Sequence, residues 1–267
     1  MNRLAVIGNP VAHSRSPDIH AAFGQQTGIA LSYEKVLAPL DRFVGVARDL
    51  ARGGFRGFNV TLPFKHEAFL LVDRVSASAA ASEAVNTVTI SAAGELSGDN
   101  TDGAGLVTDL TQNLGWEIKG ARILLLGAGG AVSGILPALQ AERPASIDVM
   151  NRTRSKAEAL ANRFGIQVVD DPGQAYDLVI SGSSAGLAGA AVDLPLATIS
   201  DATCCYDMIY GPGTTPFLSW AAAAGCVQTS DGLGMLVEQA ALAFNCWFDV
   251  MPRTEPVIAG LRRTIGG

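Results

Sequence analysis

No stretch of about 18 apolar residues occurs in this chain of 267 residues, so no membrane-spanning helix is expected. No run of lysine or arginine occurs either, and 19 basic against 25 acidic residues leave a net charge of -6. That balance offers no electrostatic footprint for nucleic acid or an anionic membrane surface, although a small anionic substrate could still meet local cations. The four cysteines, Cys204, Cys205, Cys226 and Cys246, form no Cys-x-x-Cys and no paired Cys/His spacing. This argues against a metal site or a disulfide framework and points to reduced thiols in the core. The first residues, Met1-Asn2-Arg3-Leu4, run into a strand-like segment without the apolar core of a signal peptide, so a cytoplasmic location is expected. Internal repeats and low-complexity linkers are also missing.

What is present is a folded composition, 48% hydrophobic and 16% charged, with 30 glycines to supply tight turns. The length lies near the upper limit for one hydrophobic core, so one or two domains are expected. Strands are expected at residues 4–7, 31–36 and 57–60, helices at 16–26 and 40–52, and a hairpin turn near Ala93-Gly94. Ser16 as N-cap, Pro17 at N1 and Asp18 in the first turn fit the first helix. A second series starts at residue 122, where Ile123-Leu124-Leu125-Leu126 is apolar at every position, as in a central parallel strand covered on both faces. A helix to residue 140 and strands at 146–150, 167–169, 177–180 and near 201–206 follow. Long helices over 236–248 and from about 256 close the chain. Such alternation predicts an α/β architecture of mostly parallel sheets flanked by helices, divided near residue 102.

Several short segments could carry chemistry. Gly127-Ala128-Gly129-Gly130 lies between an apolar strand and a helix, where glycines let backbone approach a pyrophosphate at a helix N-terminus. The third glycine of that fingerprint would fall at Val132, and a purely structural turn is the alternative. The next strand ends at residue 150 and is followed by Asn151-Arg152-Thr153-Arg154, with no carboxylate for ribose hydroxyls. Guanidinium groups suit a 2′-phosphate, so NADP(H) is favoured over NAD(H); a solvated basic loop is the other reading. Lys65 ends the segment Asn59-Val60-Thr61-Leu62-Pro63-Phe64-Lys65, a lone cation among apolar and hydroxyl side chains. It is either a working ammonium or a solvated lysine opening a helix whose first turn is set by Pro63. Ser14 and Ser16, in the loop after the first strand, could bind a small anion or polyol. Asp102 lies at a glycine-flanked turn, where a carboxylate often only caps a helix.

Taken in order, these segments resemble the shikimate dehydrogenase family. The resemblance is carried by Gly8-Asn9-Pro10-Val11-Ala12-His13-Ser14-Arg15-Ser16-Pro17, the Asn59–Lys65 segment, Ala84-Val85-Asn86-Thr87 and Gly98-Asp99-Asn100-Thr101-Asp102-Gly103. It continues through Gly127-Ala128-Gly129-Gly130-Ala131, Asn151-Arg152-Thr153, Tyr206-Asp207-Met208 and Asp231-Gly232-Leu233-Gly234-Met235. The resemblance implies an N-terminal α/β substrate domain over residues 1–101, joined by C-terminal helices over 238–267. It also implies a Rossmann-type doubly wound NADP-binding domain over 102–237, with the active site in the cleft between them. Lys65 and Asp102 are then the catalytic pair, and Ser14, Ser16, Thr61, Asn86, Tyr210 and Gln239 contact the substrate. Gly127, Gly129, Gly130 and Ala131 form the pyrophosphate turn. Asn151, Arg152 and Thr153 form the 2′-phosphate pocket with Arg154 as helper, and Met208 and Gly232 lie on the nicotinamide side. Members of the family commonly carry Asn-x-Thr after the strand that ends here at Ile180, whereas this chain has Ser181-Gly182-Ser183-Ser184.

The activity implied is reduction of 3-dehydroshikimate by NADPH in aromatic amino acid (chorismate) biosynthesis, by a monomer or homodimer. A polyhydroxylated carboxylate needs neutral hydrogen-bonding groups, which Ser, Thr, Asn, Gln and Tyr supply. Two rivals stay open: a quinate/shikimate dehydrogenase using NAD, and a catalytically idle NADP-binding relative. Retention of both Lys65 and Asp102 argues against the second, and the Arg-bearing loop against the first.

Overall fold

The structure, a computed structural model, describes residues 1–182 and 194–266. Contacts divide the chain into two units, Met1–Gly105 with Val237–Ile258, and Leu106–Leu236 with Ala259–Gly267.

In the first unit, β1 (Asn2–Gly8) pairs in parallel with β2 (Leu31–Leu37) and β3 (Gly57–Val60). The sheet is less parallel than the alternation predicts. β5 (Thr87–Ile90) runs antiparallel to β3 and returns through the expected hairpin, with Gly94 at φ 84°, into antiparallel β6 (Leu96–Asp99). The short β4 (Arg74–Val75) completes the order β2-β1-β3-β5-β6-β4. One consequence decides where chemistry can gather. Because β5 runs backwards, its first residue Thr87 lies opposite both Asn59 near the end of β3 and Asp99 at the end of β6. Segments after β1, after β3, before β5 and after β6 therefore meet at one edge of the sheet.

Helices α1 (Ser16–Thr27), α2 (Phe43–Arg52), α3 (Lys65–Leu71) and α4 (Ala77–Ser82) lie between these strands. Helix α2 buries Phe43, Ala47 and Leu50, one face at helical spacing, in a core with Ile7, Phe58, Val60 and Phe64. It starts later than residue 40, because only from Phe43 does the apolar face repeat. Two capping expectations are corrected. Ser16 is the first helical residue and not the N-cap of α1; the N-cap is Arg15, which makes no side-chain cap. Ser14 takes over that work, its Oγ accepting from the Ser16 N–H at 3.3 Å. Pro63 does not open α3 either: it lies in the turn where Phe64 N–H donates to Thr61 C=O, and Lys65 is the first helical residue.

The second unit holds six parallel strands in the order β12-β11-β10-β7-β8-β9. They are β7 (Arg122–Leu126), β8 (Ser146–Met150), β9 (Gln167–Val168), β10 (Leu178–Ser181), β11 (Cys204–Asp207) and β12 (Gln228–Asp231). Along β7, Ile123 and Leu125 enter one core and Leu124 the core on the opposite face. β10 repeats the pattern, with Leu178 and Ile180 on one side and Val179 on the other. Both faces are covered, by α6 (Gly130–Ala141) and α7 (Arg154–Phe164) among other elements, as a continuous apolar strand requires. Strand order reverses between β7 and β10, which is the switch point where doubly wound sheets bind ligands.

Two elements have no counterpart in the sequence expectations. β12 is polar and largely exposed, as an edge strand can be, and α8 (Pro216–Ala223) is capped by Thr215, whose Oγ1 accepts from Leu218 N–H. Helices α5 (Asp102–Thr108), α9 (Leu233–Phe248) and α10 (Glu255–Ile265) each carry residues of both units. Residues 259–266 group with the second unit and not the first, because Arg262 forks onto both carboxylate oxygens of Asp231 at 2.6 and 2.5 Å.

Candidate active site

The sheet edge of the first unit gathers a polar constellation. Lys65 Nζ lies 2.5 Å from Asp102 Oδ2, with the two side chains only 19% and 11% exposed. Lys65 opens α3 and Asp102 opens α5, so each is delivered by the first turn of a helix. Asn86 fixes the carboxylate: its Nδ2 donates to Asp102 Oδ1 at 2.8 Å and to Thr101 Oγ1 at 2.9 Å. Its Oδ1 in turn accepts from the Thr101 N–H at 2.9 Å, and Asn100 Oδ1 accepts from the Asp102 N–H. Gln239, on α9, offers its Oε1 to the same Asn86 amide at 3.4 Å. The ammonium therefore has one charged partner, and that partner's orientation is set by neutral donors.

Ser14 and Ser16 lie after β1, with Ser14 Oγ donating to Ser16 Oγ at 3.2 Å. Thr61 follows β3, its N–H donating to Ile7 C=O at 2.9 Å. Of the residues expected to touch substrate, Ser14, Ser16, Thr61, Asn86 and Gln239 belong to this unit together with the pair. Tyr210 belongs to the other, in the loop after β11. Three supporting residues escaped the motif reading: Asn59, Thr87 and Thr101, all buried. Asn59 Nδ2 donates to Asn86 C=O and Thr87 Oγ1, both at 3.0 Å. Their signal was polar residues at strand ends, which becomes visible only once β3 and β5 are known to be antiparallel.

The second unit carries the glycine turn. Gly127, at φ 109°, turns the chain out of β7, and α6 starts at Gly130 with no side-chain cap on its first N–H groups. A Cβ at Gly129 or Gly130 would meet nothing within 4 Å, so the concave side of the turn is open. These groups, with Ala131 next in α6, fit a pyrophosphate: donors and a helix N-terminus face open space. Val132, where the fingerprint has glycine, is fully buried. Close packing of helix and sheet is kept by the opposite partner: a Cβ at Gly182, just after β10, would lie 2.5 Å from Val132 Cγ2 and 3.1 Å from Met208 Sδ. Gly182→Ala should therefore cost about 1–3 kcal/mol of stability by overpacking, and Val132→Ala in the same chain should restore most of it. Denaturant midpoints of the three variants check this; a harmless Gly182→Ala would refute it. Of the divergent loop, Ser183 and Ser184 lie outside the described residues, and Ser181 closes β10.

After β8, Asn151 Nδ2 donates to Thr153 C=O at 2.8 Å, which shapes the loop. Arg154 is not the free helper that the sequence suggests. Its Nε donates to Glu158 Oε1 at 2.8 Å and its Nη1 is held by Asp170 Oδ2. Arg152 is exposed and forms no ion pair with any described residue, and the same is true of Lys156 in the first turn of α7. The loop's uncommitted cations are thus Arg152 and Lys156, the latter missed in the motif reading. Met208 N–H donates to Ser181 C=O at 2.8 Å, and Gly232 N–H to Ile209 C=O at 3.1 Å. Asp207, buried between them, accepts from Thr215 Oγ1 at 2.6 Å and from Ile209 N–H at 3.2 Å. Burial raises its carboxyl above the ordinary range while these donors oppose the shift.

Burial also pushes the Cys204 thiol up to about 11 and raises that of Cys205, so both are neutral packing groups. Among the described residues no cluster of His, Cys, Asp or Glu could hold a metal ion. No described helix is long and apolar enough to cross a membrane.

Comparison with known proteins agrees with this geometry. The shikimate dehydrogenase substrate binding domain matches residues 6–88, shikimate / quinate 5-dehydrogenase residues 109–186, and the shikimate 5'-dehydrogenase C-terminal domain residues 232–262. The shikimate dehydrogenase (NADP(+)) of Alkalilimnicola ehrlichii is 49% identical over 98% of this chain and 98% of its own. The chain belongs to the shikimate dehydrogenase family. Another member, from Thioalkalivibrio sulfidiphilus, is 50% identical over 98% of both chains. The solved shikimate 5-dehydrogenase of Thermus thermophilus, in complex with NADP(H) and shikimate, is 37% identical and matches with a TM-score of 0.91 over 98% of this chain and 99% of that one.

Proposed function

We propose that this chain is an NADP-dependent shikimate dehydrogenase that interconverts 3-dehydroshikimate and shikimate. The observation that carries the reading is the Lys65–Asp102 pair, 2.5 Å apart and largely buried among neutral amides and hydroxyls, in a member of this family. NADPH, when bound, supplies hydride to the ketone carbon. As that happens negative charge grows on the ketone oxygen, and the Lys65 ammonium stabilises it and donates the proton. Asp102 orients Lys65, and Asn86 holds Asp102 so that one carboxylate oxygen stays directed at the ammonium. Ser14 and Ser16 anchor the substrate carboxylate, while Thr61, Asn86, Gln239 and Tyr210 match its hydroxyls. A ligand lacking one of those hydroxyls would leave a buried donor or acceptor unpaired, the usual source of strong discrimination.

For the cofactor, the Gly127, Gly129, Gly130 and Ala131 turn receives the pyrophosphate, and Asn151, Arg152 and Thr153 the 2′-phosphate. Lys156 is the second cation of that pocket, ahead of Arg154, whose guanidinium is already spent. Met208 and Gly232 border the nicotinamide. A cytoplasmic location suits a biosynthetic use of NADPH.

The test is a spectrophotometric assay with shikimate or quinate, each with NADP⁺ or NAD⁺. Rapid reduction of NADP⁺ by shikimate, with quinate and NAD⁺ far slower, is the expected result. No reduction in any combination would leave an idle NADP-binding relative as the better description.

A further inference from the structure

The neutral groups around Lys65 and Asp102 do not end at Asn86. Tyr33, on β2, donates from its hydroxyl to Asn59 Oδ1 at 2.6 Å. The Ser16 side chain hydrogen-bonds the same phenol oxygen from the other side. Every bond in the series then runs one way. Ser14 Oγ donates to Ser16 Oγ, Ser16 to Tyr33, and Tyr33 to Asn59. Asn59 Nδ2 donates to Thr87 Oγ1, Thr87 to Asn86 Oδ1 at 2.9 Å, and Asn86 Nδ2 to Asp102. A chain of neutral donors that ends on a carboxylate is polarised by that charge, and each member's proton position is fixed by the next.

The ring of Tyr33 is fixed as well. It stacks on the fully buried imidazole of His20, with centroids 4.6 Å apart and planes 5° from parallel, and Trp247 packs on the same imidazole at 5.2 Å. Neither His20 nitrogen has a hydrogen-bond partner, and burial pushes its pKa down to about 3. His20 is therefore a flat, uncharged platform. Phenylalanine would serve that stack equally well, so packing does not account for the hydroxyl.

We propose that Tyr33 is a positioning residue for the reaction, its hydroxyl joining the Ser14/Ser16 loop to the Asn59, Asn86 and Asp102 series so that substrate anchor and catalytic pair share one register. Tyr33 touches neither reacting atom; it acts through Ser16 on one side and Asn59 on the other. This rests on the shikimate dehydrogenase reading above, and the wild-type rate with shikimate and NADP⁺ separates the two. An inert wild type would remove both.

The experiment is Tyr33→Phe, which keeps the stack on His20 and removes only the hydroxyl. The expected result is a fall of about 5–10-fold in kcat/KM for shikimate, the size set by one neutral hydrogen bond, with KM for NADP⁺ unchanged. In a Ser16→Ala background the same replacement should cost much less, because the bridge has already lost its other end. A role in stability alone would lower the melting temperature and leave both KM values and kcat as in the wild type, and that outcome overturns the proposal. Equal losses for shikimate and NADP⁺, or effects of Tyr33→Phe and Ser16→Ala that simply add, overturn it too.

Discussion

Lys65→Ala should lower turnover with shikimate and NADP⁺ by about 10²–10⁴-fold while KM for shikimate changes far less. The physical reason is the timing of the charge. In the ground state the ketone or hydroxyl is neutral, and many neutral groups can hold it. Only as hydride moves does the oxygen carry negative charge, so an ammonium beside it acts mainly on the transition state and shows in kcat. Removing Lys65 also leaves the 11%-exposed Asp102 carboxylate without its cation, a condition that costs stability in its own right. A thermal melt of the variant must therefore accompany the kinetics, and folded protein with lost turnover is the expected pair of results. Asp102→Asn is the matching control. It keeps an acceptor for Asn86 but loses the charge that orients the lysine, so it should reduce kcat in the same direction. Near-normal turnover in both variants would take the pair out of the mechanism.

How far such a site can be read from sequence depends on the range of the interactions that build it. The central strand β7 was legible because its apolar run is a local property, and so was the turn after it, where Gly127, Gly129 and Gly130 follow in three steps. Lys65 and Asp102 were individually ambiguous, and family resemblance rather than spacing joined them across 37 positions. The capping role of Ser16 failed because Ser14, two residues away, competes for the same first turn. Val132 looked like a departure from the dinucleotide fingerprint, but the missing space is supplied by Gly182, fifty residues later in the chain and adjacent only once β7 and β10 pair. Edge strand β12 was invisible because Gln228, Thr229 and Ser230 have no buried face to impose a pattern. Local signals survive translation from sequence to structure; compensations between distant segments do not.

Arg152→Ala should raise KM for NADP⁺ by about 10–100-fold and leave that for NAD⁺ nearly unchanged. A hydrogen bond to a charged group contributes about 1.5–3 kcal/mol, and each 1.4 kcal/mol is about a factor of ten. The two cofactors differ only by the 2′-phosphate, so a loss confined to NADP⁺ assigns the residue to that group. Arg154 is the informative contrast, because sequence alone gives both arginines the same role. Its guanidinium is divided between Glu158 and Asp170, and transfer to a phosphate would first break those pairs. Arg154→Ala should accordingly change the NADP⁺ preference little, whereas Lys156→Ala, which removes a cation without an ion-pair partner among the described residues, should weaken NADP⁺ selectively. The Arg152 effect should also shrink as salt is raised, since the loop is exposed and its charges are screened over about 8–10 Å at ordinary ionic strength. Equal losses for NADP⁺ and NAD⁺ in Arg152→Ala would show that the loop binds what the two cofactors share, and the basis for NADP preference would then have to lie elsewhere in the second unit.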